Sequence, residues 1–185
     1  MLTHYKKYIN DSEIDIILNY IKTDLYWFLV FSIMAYMGLR SVEVATIKKQ
    51  DILGDCDKIR LRLAKSNRIH ERVIPDKIRP WLRLFLQDHG CEYLFYSKYN
   101  DHLQTASIRW KLKYIRHKLN LSDKYYKRFE RISCHAFRHY FVTRAYRLSG
   151  YDLVATKEII GHVKIETTEK YITHEEKERK IAKII

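Results

Sequence analysis

The chain has 185 residues, 46% of them hydrophobic, which is room and material for one domain with a substantial core. Its 35 Lys and Arg against 22 Asp and Glu give a formal net charge of +13 and a pI near 9.6; the basic residues are spread among folded-looking segments, which favours DNA or RNA over a membrane surface as the polyanionic partner. Three cysteines, Cys56, Cys91 and Cys134, without CxxC spacing argue against a disulfide framework or a zinc ribbon and fit a reducing, intracellular setting.

The first residues, "MLTHYKKYINDSEID", lack the apolar core of a signal peptide. "NDSEIDIILNYIK" then reads as a helix capped by Asp11 or Ser12, with Ile14, Ile17, Leu18 and Ile21 at helical spacing. The most apolar run, Leu25 to Leu39, is too short for a membrane helix and reads as a buried one stopping near Gly38. Ser41 is positioned to cap the next helix, "SVEVATIKK", with Glu43 in its first turn where the helix dipole favours an acid.

From Asp57 the period changes to two. In "DKIRLRLAK" Ile59, Leu61 and Leu63 alternate with Lys58, Arg60 and Arg62, and after the turn "SNR" a second strand, "IHERVIP", completes a hairpin with Lys65 and Arg68 near its tip. Helices are expected at about Asp76–His89, Thr105–Leu119, Cys134–Ser149, Asp152–Ile160 and Glu175–Ile184, with a short "YLFY" strand between the first two. With few Pro or Gly and no linker or repeat, the fold class is mainly α with one small antiparallel β-sheet (α+β), read as a single domain over 1–185 with a tail helix at about 175–185.

Chemistry concentrates in "HAFRHYFVTRAY", where His135 and Arg138 project about 60° apart on a helix whose apolar stripe is Phe137, Phe141, Ala145 and Leu148. Three readings stand at this point: a hydrogen-bonded core histidine beside a surface arginine, a zinc helix through His135 and His139, or an imidazole and guanidinium offered to a cleft. The zinc reading is weakened by Ala136, which stands where the metalloprotease motif needs a glutamate, and by the lack of a third ligand.

Taken with "AYMGLRSVEV" upstream and "IIGHVKIETTEKY" downstream, the helix resembles the box set of the tyrosine recombinase (phage-integrase) family: GLRxxE, a lysine in a β-hairpin, HxxRH, GH and a terminal tyrosine, in family order. The resemblance runs from about Ser12 to Tyr171, with Met37, Cys134 and Phe137 as modest departures. It implies the DNA breaking-rejoining catalytic-domain fold, without the separate N-terminal DNA-clamping domain usual in the family. It also implies a catalytic set of Arg40, Lys65, His135, Arg138, His162 and the nucleophile Tyr171, supported by Glu43 and His139.

The implied activity is site-specific recombination or integration through a 3′-phosphotyrosine, with no metal, ATP or other cofactor. The implied partners are double-stranded DNA, further copies of the chain in a homo-tetramer on paired sites, and accessory DNA-binding proteins, in the cytoplasm of a prokaryote or the host of a mobile element. Lys65 is selected by the resemblance alone, since the hairpin also offers Lys58, Arg68 and Arg72. Arg109, Lys111 and Lys113 are candidate phosphate contacts, and Ile181, Ile184 and Ile185 in the tail form an apolar edge suited to another protomer or to its own domain. Rival readings are a type IB topoisomerase and a catalytically silent DNA-binding regulator.

Overall fold

A computed structural model describes residues 8–62, 69–87, 89–98, 101–121, 128–130, 132–161, 165–172 and 180, with residue 62 described by its backbone only. Lys65, His162 and the expected tail helix with Ile181, Ile184 and Ile185 lie outside the described residues.

Helix α1 (Asp11–Ile21) is capped by Asn10, ahead of the expected Asp11 or Ser12. The Asn10 side chain accepts the Glu13 backbone N–H at 2.9 Å, and the Glu13 carboxylate accepts that of Asn10 at 3.1 Å, a reciprocal capping box. Asp11 is thereby released to accept the Tyr140 hydroxyl at 2.6 Å and the Arg144 guanidinium at 3.0 Å, tying α1 to a later helix.

Helix α2 (Leu25–Met37) is apolar all round and is the central strut, as a helix without a polar face must be. Leu29 to Ala35 are all buried, and the Phe31 ring meets Phe137 at 5.4 Å. It ends at left-handed Gly38 (φ 65°), and a short α3 (Ser41–Ala45) follows, with Arg40, in place of Ser41, at the N-cap.

The sheet is antiparallel in the order β1 (Ile52–Leu53), β2 (Lys58–Arg62), β3 (Ile69–Val73). Strand β2 buries Ile59 and Leu61 as its alternation requires, and the two-residue β1 is an addition to the expected hairpin. Strand β3 inverts expectation, because Ile69 and Val73 are 58% and 62% exposed while Arg72, directly opposite buried Ile59, faces inward.

Pro80, tolerated only in a first turn, moves the start of α4 (Arg79–Leu86) to Arg79 from the expected Asp76. "YLFY" is not a strand: it makes two isolated bridges, Lys48 with Tyr93 and Tyr96 with His102, while Leu94 and Phe95 fill the core. Helices α5 (Thr105–Asn120), α6 (Cys134–Leu148) and α7 (Leu153–Ile160, capped by Asp152) lie close to their expected bounds, and a single-turn α8 (Ile165–Glu169) appears where none was expected.

On α6 the expected apolar stripe holds through Phe137, Phe141 and Ala145 but not at Leu148, which is 76% exposed at an open groove lined also by Tyr36 and Ile159. A satellite cluster of Val142, Ile160 and Tyr171, flanked by Phe141 and Ile172, joins α6, α7 and the segment after α8. No helix among the described residues is long and apolar enough to cross a membrane.

Candidate active site

Two arginines converge because of how α2 ends. The left-handed turn at Gly38 and the buried anchor Leu39 bring Arg40 to the start of α3 in an extended conformation (φ −71°, ψ 153°). Three residues on, Glu43 folds back so that one carboxylate oxygen accepts the Arg40 backbone N–H at 2.7 Å and the other accepts its Nη1 at 2.9 Å. The RxxE spacing is therefore a capping contact and an ion pair at once. The same carboxylate lies 4.0 Å from Arg138 Nη1, so a glutamate side chain only 7% exposed serves both guanidinium groups.

Arg138 comes from the second turn of α6 and is 3% exposed. Its Nη1 donates to the Gly38 carbonyl, which α2 leaves without an intrahelical partner at its C-terminal end. Burial above all, then the nearby Arg40 charge, lowers its pKa from the usual arginine value, with Glu43 and Tyr171 opposing. Arg40, with a side chain 40% exposed, presents itself to solvent.

His135, one turn earlier on α6, is exposed, and its Nε2 lies 3.1 Å from the Tyr171 hydroxyl. Desolvation first, then the charges of Arg138 and Arg40, hold its pKa below the ordinary 6.5, so the imidazole is neutral at neutral pH and able to accept a proton.

Tyr171 is 7% exposed, and its hydroxyl is also hydrogen-bonded to Arg138. The turn after α8 places it, with its backbone N–H donating to the Thr168 carbonyl at 3.0 Å. His139 is 8% exposed and packs its ring, tilted by 50°, 4.4 Å from the Tyr171 ring, a prop for the phenol. No group of three potential metal ligands occurs among the described residues, so the zinc reading of His135 and His139 finds no third partner there.

A cleft of about 480 Å³ opens beside this cluster, lined by Arg40, His135 and Arg138 on one side and by Arg109 and Arg116 on the other. Of the three cations expected to meet phosphate, Arg109 and Lys113 are exposed, while Lys111 pairs with Asp24 at 3.0 Å. Arg72 was not singled out by sequence. Its guanidinium donates to the carbonyls of Met37 (2.9 Å) and Ile160 and lies within electrostatic range of Arg138 and Arg40. No sequence pattern marks it, because the carbonyls it meets belong to helix ends distant in the chain.

The tyrosine recombinase of Thermosipho africanus is 22% identical over 142 residues, covering 76% of this chain and 47% of that protein. The tyrosine recombinase XerA of Thermococcus kodakarensis is 27% identical over 157 residues, covering 80% and 52%. The chain thus spans about half the length of these relatives. Among solved structures, XerA recombinase matches with a TM-score of 0.78 at 21% identity over 97% of this chain and 65% of that one. XerH site-specific recombinase, solved in a post-cleavage complex with palindromic difH substrate, also scores 0.78, at 19% identity over 100% and 54%. These likenesses establish the fold as that of tyrosine-recombinase catalytic domains. The sequence profile of the phage integrase family matches residues 7–178, nearly the whole chain, and the chain belongs to that family.

Proposed function

We propose that this chain is the catalytic domain of a site-specific DNA recombinase that cleaves and rejoins duplex DNA through a covalent 3′-phosphotyrosine on Tyr171. The observation that carries the reading is the Tyr171 hydroxyl, 3.1 Å from His135 Nε2 and hydrogen-bonded to Arg138, two side chains that themselves line the cleft with Arg40.

A tyrosine phenol has an ordinary pKa of about 10, so its anion lies about 4 kcal/mol uphill at pH 7. His135 accepts the phenolic proton as the Tyr171 oxygen attacks phosphorus. Arg40 and Arg138 bind the non-bridging oxygens, where charge accumulates, without a metal ion. The bond to the 5′-oxygen breaks, and that oxygen takes a proton from Lys65. His162 donates a hydrogen bond to the phosphate. Lys65 and His162 enter by their positions in the family's boxes. Glu43 orients Arg40 and balances the charge of the pair, and His139 supports the tyrosine ring. Because the phosphodiester energy is kept in the phosphotyrosine, rejoining needs no ATP.

The relatives and neighbours are named as recombinases and integrases, several solved with DNA, which supports double-stranded DNA as substrate. Assembly as a homo-tetramer on paired sites, accessory DNA-binding proteins and an intracellular location in a prokaryote or the host of a mobile element belong to the same proposal. The test incubates the protein with nicked suicide duplexes, selected by covalent capture from a library with a randomised core. Wild type should accumulate a protein–DNA adduct and Tyr171→Phe should bind without forming one. Site-independent relaxation of supercoiled plasmid would point to a topoisomerase, and binding with no adduct from wild type would point to a silent regulator.

A further inference from the structure

Two arginines take consecutive carbonyls where α2 ends. Arg72, from the inward face of β3, donates from Nη1 to the Met37 carbonyl at 2.9 Å, and Arg138, from α6, donates from Nη1 to the Gly38 carbonyl. The other terminal nitrogen of Arg72 goes elsewhere: Nη2 donates to the carbonyl of Ile160, the last residue of α7. Met37 and Ile160 each precede a left-handed glycine, Gly38 at φ 65° and Gly161 at φ 72°. Helix ends leave carbonyls unpaired and carry partial negative charge, so one planar cation closes both. A Cβ on Gly161 would lie 3.2 Å from Arg72 Nη2, so the glycine leaves the fork its space.

Both closed ends bear on the nucleophile. From the α2 end, the Gly38 carbonyl next to Met37 anchors Arg138, which is itself hydrogen-bonded to Tyr171. From the α7 end, Ile160 shares a small buried cluster with Val142 and Tyr171, and α7 packs on α6 and on the α8 turn that precedes Tyr171. The frame that fixes the phosphate-binding arginine and the frame that backs the phenol therefore meet at the Arg72 guanidinium. Burial above all, then the Arg138 charge, lowers the Arg72 pKa to about 10, which still leaves it charged at neutral pH.

We propose that Arg72 is a positioning residue for the nucleophile: by joining the end of α7 to the end of α2, its fork sets where the Tyr171 phenol stands relative to Arg138. This rests on the recombinase reading. Both guanidinium ends are committed to main-chain carbonyls, so Arg72 acts through Tyr171 and not on the phosphate. Lysine cannot replace it, since an ammonium keeps the charge but loses the fork. Arg138 has its own contacts with Gly38 and Glu43, so loss of the fork frees the phenol while the phosphate clamp stays.

The experiment measures cleavage and rejoining separately, in wild type and in Arg72→Lys. Single-turnover cleavage of a selected suicide duplex requires the free phenol to reach phosphorus. In the isolated adduct Tyr171 is already bonded to that phosphorus; the 5′-hydroxyl of an added strand attacks it, and the bond to the Tyr171 oxygen breaks as the phenol regains its proton. Misplacing a catalytic group by an ångström costs on the order of 100-fold, so Arg72→Lys should lose about that factor in cleavage and less than about 10-fold in rejoining, with DNA retention unchanged. Damage to the phosphate clamp would instead slow both directions together, because it acts on the transition state they share. Arg72→Gln, whose amide can still donate to one carbonyl, takes the place of the lysine variant if that does not fold. Equal losses in both directions, or no loss in cleavage, would overturn the proposal while leaving the recombinase reading intact. A wild-type protein that forms no adduct sinks both.

Discussion

Gly38→Ala is the sharpest perturbation of the junction that builds the site. Gly38 has φ 65°, and a Cβ there would lie 2.2 Å from Cδ1 and 2.7 Å from Cγ of Phe141, while the Gly38 carbonyl is the acceptor for Arg138. A non-glycine residue in the left-handed region costs about 1–2 kcal/mol. Forcing a methyl group into occupied space costs about 1–3 kcal/mol more. The expected loss is about 2–5 kcal/mol, a large share of the roughly 5–15 kcal/mol that holds a typical domain together.

Gly150 provides the control, because it has φ 69° and nothing within 4 Å of an added Cβ, so Gly150→Ala should cost only the backbone part, about 1–2 kcal/mol. Urea unfolding of both variants, with Phe141→Leu in the Gly38→Ala background, measures the difference. The leucine should restore part of the loss, with a coupling of about 1–3 kcal/mol. If Gly38→Ala and Gly150→Ala destabilise equally and Phe141→Leu restores nothing, the clash does not exist and the packing assigned to this junction is wrong.

Other consequences can be checked at the site. Glu43→Gln removes the charge shared by Arg40 and Arg138; hydrogen bonds to charged groups are worth about 1.5–3 kcal/mol, so adduct formation should slow by about 10- to 150-fold with DNA retention preserved. An NMR titration of the free protein should find the His135 midpoint below the ordinary 6.5, since partial desolvation and two arginines disfavour the imidazolium, and a midpoint at or above 6.5 would contradict the cation-flanked surroundings assigned to it. Adduct formation should proceed at the same rate in excess EDTA, and a requirement for a divalent cation would contradict the role given to the two arginines.

Elements whose residues obey one strong period were legible from sequence. The apolar α2, the alternating β2, and α5 to α7 declared themselves because each buries the face its pattern marks. The candidate site was legible for a different reason: helical spacing alone left His135 and Arg138 open to three readings, and it was the resemblance of the boxes to those of the family that selected the set, of which the structure brings Arg40, Glu43, His135, Arg138, His139 and Tyr171 into one cluster.

What escaped depends on tertiary partners. Strand β3 carries its apolar Ile69 and Val73 outward and a cation inward because two helix ends await that cation, and no strand pattern encodes them. Leu148 continues the α6 stripe in sequence but borders an open groove that neither Tyr36 nor Ile159 fills. Single-turn α8 and two-residue β1 are too short to have a period of their own, yet the first delivers Tyr171. Asn10 displaced Asp11 and Ser12 as the cap because its amide pairs reciprocally with Glu13, leaving Asp11 for Tyr140 and Arg144.

In the proposed mechanism one tyrosine of 15 becomes covalently joined to DNA. The most direct measurement digests the trapped adduct with nuclease and protease and locates the residual phosphonucleotide by mass spectrometry. A single modified peptide, "YITHEEK", should carry the label on Tyr171, with a free 5′-hydroxyl on the released strand. A label on another tyrosine, or release of the DNA end by hydrolysis with no labelled peptide, would contradict it.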